Sequence, residues 1–143
     1  MGKFTLQTSP ERSRIMAAIR GKGNASTEQR MVSILRQHQI SGWRRHQPIF
    51  GSPDFTFERE HVAIFVDGCF WHGCPLCYRA PRNNREFWRA KIARNAARDR
   101  RTSRRLRAIG WSVLRFWEHT LKDGDAVAAR VKRTLSQRSC AVR

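Results

Sequence analysis

Val62-Ala63-Ile64-Phe65-Val66-Asp67-Gly68-Cys69-Phe70-Trp71-His72-Gly73-Cys74-Pro75-Leu76-Cys77 is the stretch on which the rest of the chain turns. Its first five residues are apolar and, Ala63 apart, β-branched or aromatic, which predicts a central strand covered on both faces. That strand runs straight into Asp67, three cysteines, one histidine and two adjacent aromatics. The set is too polar and reactive for an ordinary turn.

Immediately upstream, Gly51-Ser52-Pro53 is a turn leading into a strand over Asp54-Phe55-Thr56-Phe57, and Glu58-Arg59-Glu60 turns the chain back as a hairpin. Before these, Trp43 to Gln47 reads as a strand, and Gly42 stops a helix opened by Ser26-Thr27-Glu28, in which Met31, Val32, Ile34, Leu35 and His38 recur at helical spacing. Ser9-Pro10-Glu11 starts an N-terminal helix running from Arg12 to Arg20, stopped by Gly21. Its face carrying Arg12, Ile15, Met16 and Ile19 either packs on the core or lies against DNA.

Downstream, Asn84 is expected to cap a long helix from Arg85 to Ile109 that Gly110 ends. Trp111 to Trp117 is a further strand, followed directly by Glu118-His119. A last helix starts at Asp123 to Asp125 with Val127, Val131 and Leu135 on one stripe, and the tail over 137–143 is expected to fray. The whole is an α/β fold, a mixed sheet flanked by helices, in one domain spanning 1–143.

Charge narrows the function. The chain has 29 Lys plus Arg against 11 Asp plus Glu, a net +18, and the excess is mostly arginine, whose planar fork suits phosphate. A nucleic acid partner is expected. From Arg85 to Arg107 nine Arg and one Lys face only Glu86 and Asp99, an imbalance that repels itself unless phosphates sit nearby. Asp99 is then either an ordinary ion-pair partner or a functional acid. No apolar run approaches the roughly 18 residues of a membrane span, and no secretory signal opens the chain, so a cytoplasmic protein is expected.

Two constellations carry chemistry. Cys69, Cys74 and Cys77 put three soft ligands on one loop, and His119, leaving a strand of the same sheet, is the best fourth, giving a structural Zn²⁺ site. Asp54, heading a strand after Pro53, is placed as many nucleases place an acid to hold Mg²⁺ against a phosphate. The usual acid-x-Lys companion is missing from Val62 to Val66. His72 stands just beyond that strand as a candidate general base, with Asp99 to orient its ring.

With Ser13-Arg14-Ile15-Met16, Gly51-Ser52-Pro53-Asp54-Phe55, Phe65-Val66-Asp67-Gly68-Cys69-Phe70-Trp71-His72-Gly73-Cys74, Glu86-Phe87-Trp88, Lys91-Ile92, Asn95, Arg98-Asp99 and Gly110-Trp111-Ser112-Val113-Leu114, the chain closely resembles the very-short-patch mismatch endonucleases (Vsr) over nearly its whole length. The resemblance implies a restriction-endonuclease-like α/β core with a structural zinc. The implied activity nicks DNA 5′ to the T of a T:G mismatch left by deamination of 5-methylcytosine. It also implies a monomer in very-short-patch repair, linked to a cytosine-5 DNA methyltransferase and to mismatch-repair proteins, and associated with the bacterial nucleoid.

Carried over by position, Asp54 ligates Mg²⁺ beside the Val66 backbone carbonyl, His72 is the base, Asp99 supports it, and Glu28 reaches the water shell of the metal. Phe70 and Trp71 wedge into the base stack beside the mismatch, with Met16 entering from the opposite groove. Arg12, Arg14, Arg20 and Lys22, and on the long helix Arg89, Lys91, Arg94 and Arg98, are the expected DNA contacts. Asp67 stands where some members have a His near the phosphate, so it is either a carboxylate on or near the metal or only a loop acid. The zinc set also departs from members that use a second-loop His and a fourth Cys. Against the mismatch reading stand a Vsr-like endonuclease cutting matched duplex and a noncatalytic zinc-stabilised DNA-binding module.

Overall fold

The structure, a computed structural model, describes residues 27–141. The expected N-terminal helix, with Arg12, Arg14, Met16, Arg20 and Lys22, lies outside them. Helix α1 covers 27–37 and buries Met31, Ile34 and Leu35, the three- and four-residue spacing expected of it. Gly42, at φ 90, lets the chain turn toward the sheet.

Strand β1 is only Arg44–Arg45, shorter than the expected Trp43 to Gln47, because His46 takes a left-handed φ of 51 that ends the extended backbone. Strand β2 (Phe55–Phe57) and β3 (Val62–Asp67) form the expected hairpin, with Phe55 opposite Ile64 and Phe57 opposite Val62. Strand β4 (Ser112–Trp117) lies parallel to β3, from Val62 opposite Ser112 to Asp67 opposite Trp117. The sheet order is β1-β2-β3-β4, antiparallel twice and then parallel, so the sheet is mixed.

Between β3 and β4 runs α2 (Arg85–Ala108). Asn84 does not cap it through its side chain. It sits in the left-handed region at φ 59, which Asn tolerates, and that conformation carries its side chain away from the first-turn amides. At the other end Gly110, at φ 97, stops the helix as expected. A 3₁₀ helix (Glu118–Lys122) follows β4, and α3 (Gly124–Ala141) opens with the Ala126 N–H donating to Asp123 Oδ1 at 3.1 Å. The helix spans residues 137–141 of the tail expected to fray. Arg138 pins the last turns by donating to the carbonyls of Glu60, at 3.0 Å, and of Gly110.

The sheet has two covered faces, and strand alternation decides what each face holds. Val62 and Ile64 join Phe55, Phe57, Leu114 and Phe116 in a core under α1 and α3, with Met31, Leu35, Val127 and Val131. Ala63, Phe65 and Val113 face the other way and meet Leu106 of α2. By the same alternation Asp67 and Arg115 fall on the α2 face, one at the end of β3 and one inside β4.

Candidate active site and metal cluster

Phe55 is the first residue of β2, so the Val66 amide finds no strand partner on that side. Asp54 fills the gap, its backbone N–H donating to the Ile64 carbonyl at 3.0 Å and its Oδ2 accepting from the Val66 N–H at 2.7 Å. The carboxylate is thereby fixed at the mouth of a cleft of ≈ 400 Å³ whose walls include Glu28, Val66, Asp67, His72, Arg98 and Asp99. Burial pushes the Asp54 carboxyl up to about 6, and the nearby Glu28 and Asp67 carboxylates push the same way against the Val66 hydrogen bond.

Of these acids only Asp54 lacks a cationic partner among the described residues. Glu28 accepts from Arg45 at 2.6 Å and lies 3.0 Å from His46 Nε2, while both oxygens of Asp67 accept from Arg115 Nη1, at 3.0 and 3.2 Å. An all-oxygen donor set with one uncompensated, half-buried carboxylate fits a hard divalent cation.

His72 lines the same cleft, its Nδ1 bonded to Asp99 Oδ2 and 3.8 Å from Asp67 Oδ1. Burial of the ring disfavours its charge, but the Asp99 hydrogen bond and the two carboxylate charges outweigh it and hold His72 above the ordinary histidine range. With Nδ1 engaged, Nε2 is the nitrogen left to take a proton.

Arg115 is the residue that sequence reasoning missed. Its Nη1 holds Asp67, its Nε donates to Ser103 Oγ at 2.7 Å, its Nη2 donates to the Asp99 carbonyl at 3.2 Å, and its guanidinium lies 4.1 Å from the Phe65 ring centroid. The available signal was a lone charge inside the apolar run Val113 to Trp117. Asp67, His72 and Asp99 lie within 4.8 Å of one another, yet the guanidinium already supplies the positive charge there, so the trio reads as a polar network.

The inward stripe of α2 explains why its apolar pattern is patchy. Between buried Ile92 and Leu106, the positions facing the site carry Asn95, Asp99 and Ser103. Asn95 Nδ2 donates to the Trp71 carbonyl at 2.9 Å and so braces the aromatic pair. Phe70 and Trp71 are half-buried, with ring centroids 5.1 Å apart, and Trp88 packs against both at 5.4 and 5.8 Å. Lys91 Nζ lies 5.9 Å from the Trp71 ring, while Arg89 and Arg94 are exposed.

Beyond the ends of the parallel strands β3 and β4, Cys69, Cys74 and Cys77 surround His119. Their Sγ atoms lie 3.4, 3.5 and 3.4 Å from its Nδ1. Tetrahedral zinc, with Zn–S near 2.3 Å and Zn–N near 2.05 Å, would set that edge at about 3.6 Å. Four ligand atoms within 4.8 Å of one another therefore fit one closed zinc site.

A family model described as DNA mismatch endonuclease Vsr matches residues 5–79. The chain belongs to the Vsr family. Type II nicking enzyme V.NmeDIP of Neisseria meningitidis serogroup C is 38% identical over 135 residues, 90% of this chain and 88% of that protein. The DNA mismatch endonuclease Vsr of Escherichia coli (strain K12) is 38% identical over 113 residues, 78% of this chain and 71% of that one. Among solved structures, the homing endonuclease I-Bth0305I catalytic domain matches with a TM-score of 0.55 at 21% identity, covering 78% of this chain and 95% of that one. This Vsr-family endonuclease thus has the restriction-endonuclease-like fold its sequence implied. Among the described residues no helix is long and apolar enough to cross a membrane.

Proposed function

We propose that this Vsr-family enzyme uses Mg²⁺ to nick one strand of duplex DNA 5′ to the T of a T:G mismatch. The observation that carries the reading is the assembly of Asp54, His72, Asp99 and Glu28, drawn from four separate segments, around one cleft flanked by a braced aromatic pair. Mg²⁺, held by Asp54 with Glu28 nearby, would neutralise charge on the scissile phosphate and orient it. His72 takes the proton of the attacking water at Nε2, Asp99 fixes the ring, and Arg115 keeps Asp67 from competing for His72.

Phe70 and Trp71, backed by Trp88, are the wedge. A wobble pair stacks poorly, so parting it costs least there, and that difference selects the mismatch. Zn²⁺ in the Cys69, Cys74, Cys77 and His119 cluster is structural, because four protein ligands leave no position open to water.

A second reading, site-specific nicking of matched duplex, is favoured by the relatives named Type II nicking enzymes, of which V.XorIIP of Xanthomonas oryzae pv. oryzae is 37% identical over 138 residues. Nicking of a T:G duplex and of its T:A counterpart in the presence of Mg²⁺ separates the two. Preference for T:G supports the mismatch reading, and equal rates overturn it.

A further inference from the structure

Helix α2 divides its basic residues between two flanks. At about 100° per residue, Lys91, Arg94 and Arg98 lie on one side of the inward stripe and Arg100, Arg104 and Arg107 on the other. The first flank borders the cleft of Asp54 through Arg98. The second borders an adjoining cleft of ≈ 610 Å³, lined by Arg100, Arg104 and Arg107 and by the apolar Pro75, Ala96 and Trp117. Asp67, His72, Asp99 and Arg115 line both clefts and form the partition between them.

The second row has no use in the chemistry described so far. All three arginines are exposed, and none of their guanidinium groups has an ion-pair or hydrogen-bond partner among the described residues. The carboxylates in that cleft, Asp67 and Asp99, are already taken by Arg115 and His72. Unpaired positive charges at i, i+4 and i+7 repel one another along a helix, and a polyanion removes the repulsion.

We propose that the second cleft is a further DNA-backbone subsite, in which Arg100, Arg104 and Arg107 hold phosphates of the substrate duplex on the far side of the His72–Asp99 pair from the scissile phosphate. The enzyme then grips the duplex on both flanks of α2. This rests on the endonuclease reading of the Asp54 cleft and is independent of whether the substrate carries a mismatch.

The test measures binding and single-turnover nicking across salt concentrations for the wild type and for Arg100→Gln/Arg104→Gln/Arg107→Gln, on T:G and matched duplexes. Loss of three phosphate contacts lowers the slope of log affinity against log salt by about 2.7, so that between 50 and 200 mM salt the variant loses roughly 40-fold less affinity than the wild type. The nicking rate at saturating enzyme stays within about twofold. The lysine row Arg100→Lys/Arg104→Lys/Arg107→Lys restores most of the slope, which excludes misfolding as the cause.

An unchanged slope shows a merely solvated face and overturns the proposal. So does a saturating rate that falls tenfold or more, or an equal loss of slope per charge in Lys132→Gln/Arg133→Gln on α3. Because slope is read on both duplexes, a wild type that fails to prefer T:G removes the mismatch reading and leaves this measurement intact.

Discussion

Asp54 carries the site's least compensated charge, and its titration should show in stability. Its folded carboxyl titrates at about 6 against 3.8 when unperturbed, so the folded state binds that proton more tightly than the unfolded one. The contribution favours folding below 3.8 and is lost as pH rises from about 4 to 6. Without divalent metal, the wild type should lose up to about 3 kcal/mol relative to Asp54→Asn across that window in urea titrations, and Mg²⁺ should shrink the loss. A gap that stays flat with pH would refute the assignment. His72→Ala should lower single-turnover nicking by about 10²–10⁴-fold with DNA binding retained, and Asp54→Ala should abolish nicking. Arg115→Met leaves Asp67 buried beside Asp99 without its counter-charge. It should cost about 3 kcal/mol or more in denaturant titration, and Asp67→Asn in the same background should recover part of that. Arg115 escaped sequence reasoning because its partners, Asp67 on β3 and Ser103 and the Asp99 carbonyl on α2, lie on elements that only the fold brings beside β4.

At the scale of elements, the strongly periodic segments were legible and the short polar ones were not. The run from Val62 to Val66, the hairpin before it and the spacing of Met31, Ile34 and Leu35 each state their environment locally, so β3, β2 and the buried stripe of α1 emerged as expected, whereas α1 ends at residue 37, ahead of the left-handed Gln39 and short of the expected stop at Gly42. Strand β1 did not, because its end is set by the left-handed His46, a conformation its residue type does not announce. The Cys-rich loop was legible as a ligand set because spacing alone brings three thiols together, whereas Glu28 needed α1 laid beside Arg45 to show its pairing. Gly73, between His72 and Cys74, has φ 67, and a Cβ there would run into the Ile92 side chain. Gly73→Ala should therefore destabilise by about 2–4 kcal/mol in thermal or urea unfolding and lower nicking as well, since it displaces the loop carrying the base. If Gly73→Ala were as active and stable as the wild type, the tight packing of this loop on α2 would be wrong.

At the scale of the molecule, charge and the metal cluster act on different properties. On the proposed reading, the +18 net charge would govern how DNA is held, while zinc bound by Cys69, Cys74, Cys77 and His119 would tie the loop after β3 to the segment after β4. Chelation, or Cys74→Ser, should lower the thermal midpoint by about 10 °C or more, and the loss of nicking should follow the loss of folded protein. A zinc-free wild type of undiminished midpoint would overturn the structural role. The cluster also bears on how the chain reaches its fold. Strands β3 and β4 pair in parallel across the whole of α2, and Cys69 and His119 are 50 residues apart, so the parallel pairing of the sheet requires closing a long loop. That closure alone costs about 3–4 kcal/mol of chain entropy and slows the search for the register. An ion captured first by the three neighbouring thiols and then by His119 would tie the loop shut ahead of the strands. Refolding from urea followed by stopped-flow fluorescence should then be faster with stoichiometric zinc than with chelator, making the metal a catalyst of assembly as well as a clamp on the finished sheet.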